Sequence, residues 1–216
     1  MTLYLLPGIG CDARLFSRLD LAELEVVMLE WPSFPKGCTL KELAATMRSG
    51  VDETKPHILA GVSMGGMVAE ELALLTAPEK VLLISSWTGP QEWPWHVHAA
   101  KLLHLYGLVG SITMRITWPL KRLLGPRPKD IDRLLWDMAA EQTAGKIRRG
   151  LNAVLRWEGT KWKGPLVRIH GDHDHVTPLR FPVDHVIHGG EHIMVLTRPH
   201  EVSRAIWESI EQSSPA

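Results

Sequence analysis

Three residue types that together perform nucleophilic acyl chemistry occur in this chain in a suggestive order. Gly61-Val62-Ser63-Met64-Gly65 sets a serine between two glycines, in the form G-x-S-x-G. A serine hydroxyl is a weak nucleophile, and needs a base to take its proton and an acid to hold that base. Downstream, the stretch VRIHGDHDHVTP (167–178) carries two candidate acids, Asp172 and Asp174. The stretch IHGGEHIMVLTRPHEVSRAI (187–206) carries three candidate bases, His188, His192 and His200. The glycines have their own logic. A tight strand–turn–helix brings backbones too close for side chains. It lifts the central residue above a sheet in a strained conformation, and leaves the next N–H at a helix N-terminus facing any oxyanion. The blander reading is a glycine-rich turn whose serine only caps the helix.

The cluster His170, Asp172, His173, Asp174, His175 raises metal chemistry, because imidazole and carboxylate both bind zinc. It comes close to the H-x-H-x-D-H pattern of metallo-β-lactamase-like hydrolases, with Asp172 where a histidine belongs. Only 41 residues follow His175, too few for the rest of such a fold, and a metal site would leave the serine motif unexplained. The expectation is therefore no metal and no cofactor.

The elements that must position these residues are legible from apolar runs. Residues 3–6, 26–29, 58–62, 81–85 and 166–169 are continuous apolar stretches, as expected of parallel strands covered on both faces. A weaker strand is expected at 185–187. Helical patterns fall at 40–49 after the cap-like Thr39, at 64–75 and at 201–211. The alternation predicts an α/β fold: a doubly wound, mostly parallel sheet of roughly six strands, close to the usual sheet size. Residues 88–160 break the rhythm. They hold no convincing strand but amphipathic pieces at 97–106, 112–124, 131–140 and 147–157, punctuated by Gly and Pro. The division expected is a core of 1–87 and 161–216 with a helical cap subdomain, 88–160, inserted after the fourth strand. That segment carries 11 Lys and Arg against 6 Asp and Glu. It also holds Trp93, Trp95, Trp118, Trp136 and Trp157, which suggests an apolar pocket over Ser63. The basic excess suits either a substrate with an anionic tail or an ordinary solvated helix face.

Composition narrows the partners. With 24 basic and 24 acidic residues the formal charge is zero, so nothing global points to nucleic acid or an anionic membrane. No apolar run is long enough to span a bilayer. MTLYLLPGIG has no basic n-region, and reads as a first strand rather than a signal peptide. Two cysteines, Cys11 and Cys38, make no disulfide framework and suit free thiols in the cytoplasm.

The motifs LLPGIGCDARLF, GVSMGG, HGDHDHVTP and GGEHIMVLTRPHEV, in this order, resemble those of the α/β-hydrolase superfamily. The resemblance covers the sheet-forming parts of the chain, while 88–160 matches nothing recognisable. It implies Ser63 as nucleophile, Asp174 rather than Asp172 as acid, and His192 as base. It also implies the backbone N–H groups of Met64 and Ile9 as oxyanion donors. Asp174 follows the family spacing H-G-x-x-D before a later proline, here His170, Gly171 and Pro178. His192 keeps the family's distance to a P-x-E-V segment, here Pro199, Glu201 and Val202. The chain departs from the pattern in four places. Pro7-Gly8 stands where His-Gly is usual, and Glu191 where a glycine is common. The short spacing from Asp174 to His192 implies that the usual intervening helix is missing, and the chain starts at the oxyanion strand without a leading hairpin. The expected function is a serine hydrolase, a carboxylesterase working on a small-molecule ester or thioester with an apolar acyl group. Acyltransferase, hydroxynitrile-type lyase and non-enzymatic ligand-binding module are the alternatives on the same scaffold.

Overall fold

The computed structural model describes residues 1–104 and 128–211. Six strands, β1 (Thr2–Leu6), β2 (Glu25–Met28), β3 (His57–Val62), β4 (Lys80–Ile84), β5 (Leu166–Gly171) and β6 (His185–Ile187), form one sheet. Their order is β2-β1-β3-β4-β5-β6, and every neighbouring pair is parallel. The helices are α1 (Leu40–Met47), α2 (Met64–Thr76), α3 (Trp95–Leu102), α4 (Lys129–Glu141), α5 (Ala144–Arg156), α6 (Met194–Thr197) and α7 (Pro199–Glu211). The helical piece expected at 112–124, the end of the one expected at 97–106, and Trp118 lie outside the described residues.

The sheet has a core on each face because strand side chains alternate. Tyr4, Leu6, Leu59, Val81 and Leu83 pack with buried residues of α1 and α2 on one side. Leu3, Leu5, Ile58, Ala60, Leu82 and Ile84 pack with residues of α4, α6 and α7 on the other. β1, β3 and β4 are buried at every position, as their unbroken apolar runs require. β2 corrects an expectation. It reads as a buried strand, yet Glu25 and Met28 are exposed and Val26 and Val27 only half-buried. As an edge strand its only neighbour is β1, so it lacks cover on its other side. Thr39 starts α1 with a full capping box, accepting from the Glu42 N–H while the Glu42 carboxylate accepts from the Thr39 N–H. The sequence reading has no α6. Its residues 194–196 are wholly buried, and the turn is too short to show a helical period.

Between Asp174 and His192 the chain forms only β6, without a helix. No helix among the described residues is long and apolar enough to cross a membrane. Cys11 and Cys38 are both free thiols.

Candidate active site

The turn from β3 into α2 sets the geometry at Ser63. Its backbone sits at φ 54° and ψ −122°, strained for a non-glycine residue. The serine side chain makes no capping hydrogen bond, which removes the helix-cap explanation for its presence. What holds the turn is backbone. Ser63 N–H donates to the Ile84 carbonyl at 3.0 Å, and the Ser63 carbonyl accepts from the Ser86 hydroxyl at 2.7 Å and the Gly66 N–H at 3.0 Å. The two motif glycines are demanded by contact. A Cβ on Gly61 would lie 2.3 Å from the Gly65 carbonyl group, and one on Gly65 would lie 2.3 Å from the Leu6 carbonyl oxygen. Met64 opens α2, so its N–H is one of the helix's first four and has no intrahelical acceptor.

Asp174 and His192 come from the loops after β5 and β6, at the same C-terminal edge of the parallel sheet as Ser63. Asp174 follows β5 and its side chain is fully buried. One carboxylate oxygen, Oδ1, accepts from the Val176 N–H at 2.9 Å and the Thr177 N–H at 2.8 Å. The other, Oδ2, accepts from the Thr177 hydroxyl at 2.6 Å and from His192 Nδ1 at 2.9 Å. Burial pushes the carboxyl toward its neutral form. The positive charge available on His192, together with hydrogen bonds from His170, His192 and Thr177, outweighs it and holds the pKa far below the usual carboxylate range. Asp174 is therefore an ionised acceptor, and His192 must carry its proton on Nδ1 when neutral. That leaves Nε2 with a free lone pair.

The rival residues are placed elsewhere. Asp172 pairs with His188 at 3.0 Å and accepts from the Gly189 N–H at 2.6 Å. His188 is 89% exposed at its side chain. His200 is exposed at the start of α7. Thr177 and Ser86 are the residues that sequence reasoning passes over. Thr177 supplies two donors to Asp174, and Ser86 holds the elbow carbonyl. The only signal for either is adjacency to a motif or a strand end.

Ser63, Met64 and His192 line one cavity of about 860 Å³, together with Gly8, Ile9 and Thr177. Its walls are mainly aliphatic, built from Met67, Val97, Leu135, Ile147, Leu151 and Val154. No Lys, Arg, Asp or Glu among the described residues lines it. This bears on two readings of 88–160. Of its tryptophans, the described Trp93, Trp95, Trp136 and Trp157 do not line the cavity. Trp93 and Trp157 are buried in the core, where the Trp157 indole donates to Glu71 at 2.6 Å, and Trp95 is exposed. Trp87, just outside the segment, is the tryptophan that lines the cavity among the described residues. Nor do the described Lys and Arg residues of that segment line the cavity. Lys146, Arg149 and Arg156 on α5 donate to the carbonyls of Trp31, Phe34 and Gly37 at 3.4, 2.9 and 3.1 Å. Burial, with Asp12 nearby, raises the Cys11 thiol to about 12, so that it is an inert wall of the cavity. Among the described residues, no three His, Cys, Asp or Glu side chains gather as a metal would require.

Known proteins share this architecture. The solved structure of a thermophilic esterase from Thermogutta terrifontis superposes with a TM-score of 0.79 at 15% identity, covering 100% of this chain and 91% of its own. MenH from S. aureus gives 0.78 at 15% identity over 99% and 94% of the two chains. An esterase from Exiguobacterium antarcticum gives 0.76 at 14% identity over 98% and 92%. At such identities the likeness is one of fold. No curated protein matches the chain in sequence. The model of the alpha/beta hydrolase family matches residues 3–205, nearly the whole chain and the segment 88–160 with it. With its parallel sheet, strained serine turn and family match, the chain belongs to the alpha/beta hydrolase family.

Proposed function

We propose that the chain is a serine esterase acting on a small carboxylic ester or thioester with an apolar acyl group. The observation that carries this reading is the buried Asp174–His192 pair opening onto the same cavity as Ser63. In this reading His192 Nε2 takes the Ser63 proton as the Ser63 oxygen attacks the substrate carbonyl. The developing oxyanion is held by the N–H groups of Ile9 and Met64, each such donor being worth about 3 kcal/mol of barrier. The imidazolium then protonates the leaving alcohol or thiol, leaving an acyl-enzyme. Water, deprotonated by His192, releases the acid and restores Ser63. Asp174 keeps the ring in its Nδ1–H form and stabilises its positive charge. The described residues of α3, α4 and α5 act as part of a cap whose apolar side chains receive the acyl group. An anionic substrate tail is not part of the proposal, since no Lys or Arg among the described residues lines the cavity.

The test is hydrolysis of p-nitrophenyl esters from acetyl to long acyl, with Ser63→Ala as the blank. Turnover by the wild type alone is expected, with an optimum at an acyl length of several carbons. Equal activity in both proteins would remove Ser63 as nucleophile. Inertness of both toward esters and thioesters alike would favour a lyase or a ligand-binding role.

A further inference from the structure

The Ile9 N–H belongs to the same peptide unit as the Gly8 carbonyl. A trans peptide is planar, so its N–H and C=O point in opposite directions. Whatever fixes the Gly8 carbonyl therefore fixes the Ile9 N–H. Two donors do so: the Cys11 N–H at 3.2 Å, from within the same loop, and the Trp31 indole Nε1–H at 3.2 Å, from the loop after β2.

The placement of the two sides of this peptide matters. Gly8 lies against the elbow, since a Cβ on it would sit 3.6 Å from Ser63 Cβ. Gly8 and Ile9 line the cavity that Ser63 and His192 share. Trp31 does not line that cavity; it lines a separate polar cleft with Asp12, Glu30 and Lys146. The carbonyl thus turns toward the tryptophan, and the N–H turns away from it.

Trp31 is itself held from behind. Its ring meets Phe34 edge-on, with centroids 5.5 Å apart and planes at 86°. The Trp31 and Phe34 carbonyls accept from Lys146 and Arg149 of α5. The same helix presses on Ile9 at Gly150, where an added Cβ would fall 2.7 Å from Ile9 Cδ1. Lys146, Arg149 and Arg156 of α5 thereby hold the loop carrying Trp31 by its backbone carbonyls.

We propose that Trp31 is a positioning residue for the oxyanion site. Its indole N–H pins the Gly8 carbonyl so that the Ile9 N–H faces the Ser63 side of the peptide. The proposal rests on the serine-hydrolase reading and adds to it a residue outside every motif of the chain.

The experiment compares wild type, Trp31→Phe and Phe34→Leu. Trp31→Phe keeps an aromatic ring and removes the donor. Phe34→Leu loosens the seat of the ring and keeps the donor. Each is assayed for kcat and KM on the best p-nitrophenyl ester and for melting temperature. Each is also assayed for affinity to the matching trifluoromethyl ketone, whose adduct with serine places an oxyanion in the site, and to the plain methyl ketone. Losing an oxyanion donor outright costs about 100-fold or more in kcat. Loosening one while Cys11 still holds the carbonyl is expected to cost about tenfold in kcat, with KM within twofold. Trifluoromethyl ketone affinity should fall by the same factor and methyl ketone affinity should not. Phe34→Leu, which keeps the donor, should lower the melting temperature and cost less in kcat than Trp31→Phe does. A Trp31→Phe enzyme with wild-type kcat and trifluoromethyl ketone affinity overturns the proposal while leaving the hydrolase reading standing. So does a loss of kcat that tracks melting temperature equally in both variants. A wild type that neither turns over esters nor binds the trifluoromethyl ketone overturns the hydrolase reading and, with it, the role of the peptide.

Discussion

Two aspartate–histidine pairs stand two residues apart on the loop after β5. Asp174 meets His192 at 2.9 Å, and Asp172 meets His188 at 3.0 Å. The distances are nearly equal and the chemical partners identical, yet the settings are opposite. Asp174 and His192 have side chains 0% and 10% exposed, while those of Asp172 and His188 are 34% and 89% exposed. Both carboxyls are shifted downward. For Asp172 the His188 hydrogen bond does this in water, where such a pair is worth little. For Asp174 the shift is made against a desolvation cost, by a set of donors that leaves it no neutral alternative. Contact distance therefore does not separate a buried pair from a surface pair. Burial, the number of donors and a cavity shared with Ser63 do.

The comparison is broken most directly at the histidines. His192→Ala is expected to lower kcat for ester hydrolysis by about 10⁵–10⁶-fold, against less than threefold for His188→Ala. Steady-state kinetics on purified variants decides it, and similar losses in both would dissolve the distinction. The acids come next. Asp174→Asn should cost about 10⁴-fold in kcat, because an amide no longer enforces the Nδ1–H tautomer. Asp172→Asn should stay within threefold.

Stability against pH gives a third, smaller contrast. The folded pKa of Asp174 lies below its unfolded value, so the native state binds fewer protons than the unfolded state at acid pH. Its contribution is present above the ordinary carboxylate pKa and is lost progressively as pH falls below about 4. The wild-type melting temperature should therefore drop more steeply from pH 4 to 2.5 than that of Asp174→Asn. Equal slopes would mean that the carboxylate is not held as described.

Glu70 sharpens the lesson from the opposite side. It is 0% exposed on α2, yet burial raises its carboxyl well above the ordinary range, and the neighbouring Arg168 and Thr160 offset this only in part. Here the folded pKa is raised, so its contribution is full at acid pH and is lost as pH rises. Glu70→Gln should be near neutral at pH 5 and stabilising by about 1 kcal/mol at pH 9, read from denaturant unfolding. A destabilised variant at pH 9 would show that Glu70 is held as an anion after all.

Much of this architecture is written locally. The runs at 3–6, 58–62 and 81–85 match β1, β3 and β4 within a residue, because strands buried on both faces have no polar face to confuse the reading. β2 shows the limit of the same rule, since an apolar run does not say whether a strand has one neighbour or two. The Ser63 turn was legible because its glycines answer a steric demand within five residues. Thr177, Ser86 and Trp31 were not, since a threonine, a serine and a tryptophan outside a motif carry no mark of what they will touch. The described tryptophans of 88–160 likewise carry no mark of where they will pack. Their number suggests an apolar pocket; the cavity is apolar, but its described walls are mainly aliphatic, and Trp93 and Trp157 lie in the core.

The sequence by itself determined the order of strands and helices and the strained serine turn, because these follow from hydrophobic period and backbone sterics over short spans. Only the tertiary structure decided which aspartate lies buried against which histidine, and which side chains wall the cavity. It also decided that the cations of α5 grip the 31–37 loop rather than face a substrate. Those outcomes depend on burial and on contacts between residues far apart in the chain, 119 positions in the case of Arg156 and Gly37, and no local pattern encodes them.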